Sequence, residues 1–181
     1  MIIAPFTAVT NGWVTHPRIQ TLDAWHNNRL PNEASLNVAP NKIMAFGGEQ
    51  YYVSASLQGA DMQLAQKGEV AFGGQLYEGW NLEPGVYLVE GELTLNVPRG
   101  TVAYVQASWN ARSQGVFIDA TTFQPGTVGP VSFLMNVSKP TAIIDGTFVA
   151  ELFFTSYEIP KTYQERDVAA SRHYTPSGTF A

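Results

Sequence analysis

The sequence predicts an all-β domain, and three observations carry that reading. Charged residues make up only 14% of the 181 while aromatics reach 12%, against roughly 25% charged in an average soluble domain. The 16 glycines and 11 prolines fall between short apolar runs rather than inside them. Those runs recur at intervals of roughly 8–12 residues, the spacing of sandwiches and barrels. A chain of this length makes one domain, burying about 70% of its extended surface without staples. It contains no cysteine, which excludes a disulfide framework, a zinc ribbon and a cysteine nucleophile.

Residues 1–33 read as an arm followed by one helix. Met1–Val14, with Pro5, is expected to be extended and to pair either with its own barrel or with a neighbouring subunit. Thr15 can cap a helix with Pro17 in its first turn, and Ile19, Leu22 and Trp25 recur at helical spacing. Asn27-Asn28 and Pro31 would end it. The narrow apolar face suits a helix laid across a sheet.

Residues 34–157 read as the barrel. Lys42–Phe46 and Tyr51–Ser56 flank Gly47-Gly48, and Val70–Phe72 and Leu76–Tyr77 flank Gly73-Gly74, two hairpin signals. The string Ala-Phe-Gly-Gly-x-x-Tyr thus occurs at Ala45–Tyr51 and again at Ala71–Tyr77. It reads as one hairpin solution used twice rather than as a duplication. After the Glu83-Pro84-Gly85 turn come Val86–Val89 and Leu93–Val97, and Pro98-Arg99-Gly100 separates these from Val102–Ala107. Further strands are expected at Val116–Asp119, Val131–Val137, Thr141–Ile144 and Phe148–Tyr157. Residues 158–181 read as a polar tail, with one loose helical turn within Lys161–Arg172 and a mobile terminus from His173.

The net charge of −5 argues against nucleic acid as a partner. No apolar run approaches the ~18 residues of a membrane span. Met1-Ile2-Ile3-Ala4-Pro5-Phe6 lacks the features of a signal peptide, so the expected location is a virion or the cytoplasm. There is no phosphate loop, dinucleotide fingerprint or nucleophile elbow. His16, His26 and His173 are scattered, and each reads as structural or solvent-facing. Glu90 and Glu92 share a strand face, where a solvated surface explains them as well as acid–base work does. Asp119 ends an apolar strand as a turn former, and the sequon Asn136-Val137-Ser138 means nothing without secretion.

Several strings, taken in order, resemble the trimeric dUTP pyrophosphatase and dCTP deaminase superfamily. They are Ala34-Ser35-Leu36-Asn37-Val38, Glu83-Pro84-Gly85-Val86-Tyr87-Leu88, Val105-Gln106-Ala107-Ser108-Trp109-Asn110-Ala111-Arg112-Ser113-Gln114-Gly115-Val116, Gln124-Pro125-Gly126-Thr127-Val128-Gly129 and Asp145-Gly146-Thr147-Phe148-Val149-Ala150-Glu151-Leu152-Phe153-Phe154. The resemblance runs from Ala34 to Phe154, and the leading helix suits the deaminase branch. It implies a distorted β-barrel or jelly roll, a homotrimer, and sites between subunits that bind a nucleoside triphosphate with magnesium.

The reactive positions depart from that pattern. Where the superfamily has a Gly-Arg-Ser-Ser phosphate turn, this chain has Ala107, Ser108, Trp109 and Asn110. A triphosphate carries about four negative charges and needs an array of donors. An indole offers one N–H and much apolar volume, so Trp109 is expected to fill or cover the pocket, with Arg112 one residue out of register. Phe123-Gln124 replaces the Ile-Asp pair whose carboxylate activates water, and a glutamine cannot act as a base. The strand Val131–Asn136 lacks the deaminase glutamate. Asn37 stands for an Asp, Phe148 for an Arg or other polar residue, and Glu151 for a Gln.

The leading expectation is therefore a non-catalytic trimeric barrel, a structural, cement or binding module of a phage or virus particle. It needs no cofactor, and its partner is a larger protein assembly. Trp13, Trp80 and Trp109 are candidate contact anchors, with core packing as the plainer role of each. The alternative is a divergent nucleotide hydrolase, deaminase or sensor, in which Ser108, Asn110, Arg112 and Gln124 line a changed, magnesium-dependent pocket.

Overall fold

A computed structural model describes residues 1–46 and 62–157. The N-terminal segment is not an extended arm. Pro5–Thr10 forms helix α1, with proline in its first turn and Pro5 and Ala8 buried. Before it, Ile3 N–H donates to Phe154 O at 2.9 Å. After it, Val14–Thr15 (β1) pairs with Leu95 and Thr94. The segment is thus held on its own barrel at both ends. That pairing also explains the second correction. Thr15 lies in a strand, and the next helix, α2, covers only Leu22–Asn27. Its cap is Thr21, whose Oγ1 accepts from Ala24 N–H at 3.2 Å. Trp25 is its one buried residue, and the indole donates to Ile19 O at 3.1 Å.

The strands follow the pattern of alternating side chains, with some boundaries moved. Leu36–Val38 (β2), Pro40–Phe46 (β3), Met62–Leu64 (β4), Gly68–Phe72 (β5) and Gln75–Leu82 (β6) come first. Gly73 and Gly74 join β5 to β6 with φ of 59° and 79°, the left-handed pair that a two-residue hairpin needs. The matching turn expected at Gly47-Gly48 and the strand Tyr51–Ser56 lie outside the described residues. The partner observed for the end of β3 is β4, through Phe46 opposite Met62.

The two strands expected after Pro84 are one, Gly85–Asn96 (β7). Its polar middle continues the ladder because Glu90 and Glu92 point to one face, where Lys42 and Arg18 meet them. Thr101–Ala107 (β8) leads into a five-residue helix, Trp109–Ser113 (α3), too short to leave a periodic signal. Val116–Ile118 (β9), Thr121–Phe123 (β10), Val128–Val137 (β11), Thr141–Ile144 (β12) and Ala150–Ser156 (β13) complete the chain.

Pairings among the described residues are antiparallel, in three sheets. The order β4-β3-β7-β11-β9, with β1 beside β7, forms the largest; β10-β8-β13-β2 forms a second, and β12-β6-β5 a third. One apolar cluster joins them, including Val89, Leu93, Phe133 and Met135 from the first sheet, Leu36, Val105 and Phe154 from the second, and Trp80 from the third. Leu93, Leu95 and Val97 enter this cluster by alternation, each below 2% exposed.

Candidate functional site

Helix α3 and the residues beside it occupy the place that the resemblance gives to phosphate binding. Ser108 is buried and its side chain is already committed. Its Oγ accepts from Ala111 N–H at 3.2 Å, capping α3, and donates to Phe148 O at 3.3 Å. Trp109 does not fill a pocket: 74% of its surface is exposed. Within one chain α3 begins at Trp109 and turns it outward while Ala111 takes the buried position. Trp80 is core and Trp13 packs against Phe154, with ring centroids 6.2 Å apart.

Asn110 and Arg112 are exposed on α3. Gln124 is exposed just beyond β10, whose Phe123 pairs with Ala103. Ser108 follows the opposite end of β8, so Gln124 is about 20 Å away along the strand direction. One chain therefore brings together Ser108, Asn110 and Arg112 but not Gln124. A site using all four would draw them from different subunits. Magnesium, which the nucleotide reading requires, finds no group of three His, Asp or Glu side chains suited to hold it among the described residues.

Beside α3 opens a cleft of about 410 Å³, lined by Asn110, Ala111, Val116, Lys139, Ala142 and Val149 among others. Sequence reasoning missed Lys139 and the neighbouring Phe72. A lysine standing alone after an apolar strand was the only signal available. Phe72 is 67% exposed.

Two polar networks lie elsewhere. His16 is buried. Its Nδ1 accepts from Arg18 N–H at 3.1 Å, and its Nε2 lies 3.1 Å from Glu92 Oε2. An accepting Nδ1 makes Nε2–H the donor to Glu92, so both nitrogens are used and neither is a free base. Arg18 Nη2 meets Glu92 Oε1 at 2.5 Å. His26 ends α2 in solvent. In the second network Asn32 Nδ2 donates to Asn37 Oδ1 at 2.9 Å and lies 3.4 Å from Glu151 Oε1. Asn37 Nδ2 donates to Arg29 O at 2.7 Å.

No protein-family model matches the chain, and no curated protein does. Solved structures do. It is similar to the 2'-deoxycytidine 5'-triphosphate deaminase from Agrobacterium tumefaciens, with a TM-score of 0.59 and 14% identity over 91% of this chain and 51% of that one. The dUTPase from phage phi11 of S. aureus matches 46% of this chain and 79% of its own, at 11% identity and a TM-score of 0.39. The EIAV dUTPase matches 46% and 78%, at 17% identity and a TM-score of 0.39. The chain spans about half the length of the deaminase it resembles. The protein has a dUTPase/dCTP deaminase-like fold. Among the described residues no helix is long and apolar enough to cross a membrane.

Proposed function

We propose that this chain is a non-catalytic β-barrel module that forms a homotrimer and binds within a larger protein assembly, a phage or virus particle. The state of α3 carries the reading. Where a nucleotide enzyme needs free donors for phosphate, the Ser108 hydroxyl is spent inside the fold and an indole stands in solvent. Exposed tryptophan is a contact residue more readily than a phosphate ligand. The virus-particle part of the reading rests on analogy of fold.

Light scattering should give the mass of three chains, and calorimetry with each deoxynucleoside triphosphate plus magnesium should then give no binding heat at millimolar concentration. A monomer would overturn the module reading. So would one nucleotide binding at tens of micromolar. The second outcome favours a divergent nucleotide enzyme or sensor, for which the exposed Arg112, with no carboxylate partner among the described residues, is the supporting observation. Arg112→Ala would then weaken that binding.

A further inference from the structure

We propose that the cleft beside α3 docks an extended, acidic segment of a partner protein, added as a new strand to β12. This rests on the module reading and names the chemistry of the module's partner.

The backbone provides the first observation. Among the described residues β12 ends its sheet, with β6 as its neighbour there. Asp145 N–H donates to Glu78 O at 2.8 Å, one step beyond the Ile144–Gly79 pair. Hydrogen-bonded pairs alternate along an antiparallel ladder. Thr141 and Ile143 therefore bond toward β6, while Ala142 turns its N–H and C=O outward. Ala142 is exposed and lines the cleft. An open edge of this kind accepts an added strand.

The cleft floor provides the second. Ala111, Val116, Ile143 and Val149 are buried apolar residues lining about 410 Å³, room for an anchoring side chain. Phe72 stands on its wall at 67% exposure, and Trp109 opens the adjacent helix at 74%. Apolar surface of this kind, rimmed by polar groups, marks contact sites.

Charge decides the class of partner. Arg18, Lys42 and Lys67 each hold a carboxylate. Lys139 in the cleft and Arg112 on α3 hold none among the described residues. Nearby acids do not cancel them. Asp145 is paired with Lys67 at 2.9 Å. Glu69 and Glu78 stand opposite each other, and neither lines the cleft. A chain of net charge −5 thus presents spare cations here, and an acidic strand complements them.

The probe is a synthetic heptapeptide of alternating Glu and Val, compared with its Lys–Val counterpart, titrated into the full chain while amide resonances are followed. The acidic peptide should shift the amides of Ala142, Lys139 and α3, and slow Ala142 hydrogen exchange at least about tenfold. The Lys peptide, and the Lys139→Glu/Arg112→Glu variant with the acidic peptide, should each bind roughly tenfold more weakly. Ala142→Pro, tolerable on an edge strand, should weaken binding while leaving the fold's spectrum unchanged elsewhere. Equal affinity for both peptides, shifts confined to another surface, or no shift at millimolar peptide overturns the proposal. So does a fall in assembly mass in Phe72→Ser, which would make this face an interface between copies, or displacement of the peptide by octanoate at equal concentration. A blank titration with a trimer that binds no nucleotide removes this docking site and leaves the module reading standing. Nucleotide binding removes the module reading itself.

Discussion

Ser108→Ala separates a structural hydroxyl from a ligand-binding one. The substitution removes the acceptor for Ala111 N–H and the donor to Phe148 O while leaving the backbone bond from Ser108 N–H to Val149 O, 2.9 Å, in place. Loss of a serine cap costs about 1 kcal/mol. The bond to Phe148 O is long at 3.3 Å, so its loss adds about 0.5 kcal/mol, the low end for a neutral pair. The sum, about 1.5 kcal/mol, should lower Tm by about 3–6 °C for a chain of this size. Scanning calorimetry with a matched urea titration measures it, and an unchanged m value would show that the denatured state is not the cause. Ser108→Thr keeps both bonding functions and should recover most of the loss. An unchanged Tm in Ser108→Ala, together with an altered nucleotide isotherm, would refute the assignment and make Ser108 a ligand.

Two further perturbations test the fold around it. Gly79→Ala drives a Cβ into the backbone of β12, at Ile143 O and Ile144 Cα. Neither can swing aside, so about 2–3 kcal/mol of destabilisation is expected in urea unfolding, with hydrogen-exchange protection lost first across β6 and β12. Burial raises the Tyr87 phenol above its ordinary value, with the Glu83 charge adding to the rise and a smaller backbone contribution from Glu83 opposing it. The folded state thus holds the proton to higher pH than the unfolded state does. Stability from this group is complete below about pH 10, the unfolded value, and falls as pH rises through the folded one. Tyr87→Phe should flatten that alkaline decline in urea midpoints measured from pH 9 to 11, and an unchanged slope would rule out Tyr87 as its source.

The barrel was legible because its strands alternate: in β8, Thr101, Ala103, Val105 and Ala107 are buried between half-buried residues. Pro and Gly marked several of the breaks. Illegible elements were those too short for a period to appear. Helix α3 has five residues, and β1, β4 and β10 two or three. The missed α1 has one buried face two residues wide, and tertiary contact with Phe154 and β7 fixes it rather than local pattern. Spatial coincidence was the other blind spot. The cleft joins Phe72, α3, Lys139 and Val149, and nothing in the order of the chain places those four together.

The same blindness hides that two departures from the resembled pattern, far apart in sequence, face each other across paired strands. Asn37, where the resembled pattern has Asp, is the cross-strand partner of Glu151, where that pattern has Gln. The pair keeps one carboxylate and one amide and exchanges their strands, with Asn32 donating toward both. Directly opposed side chains on paired strands lie about 5 Å apart, and like charges there repel. Asn37→Asp alone would set two carboxylates face to face and turn the bond from Asn37 Nδ2 to Arg29 O into a second repulsion. It should cost about 1–2 kcal/mol. Glu151→Gln alone should cost less than about 0.5 kcal/mol, since the residue is only half-buried. The double variant restores the opposed charge and amide, and should recover about 1 kcal/mol relative to the sum of the single changes. Additivity within about 0.3 kcal/mol would mean that the two positions are energetically independent. Coupling would mean that positions 37 and 151 belong to one polar network, leaving α3, with its spent serine and exposed indole, as the feature that bears more directly on the proposed lack of nucleotide binding.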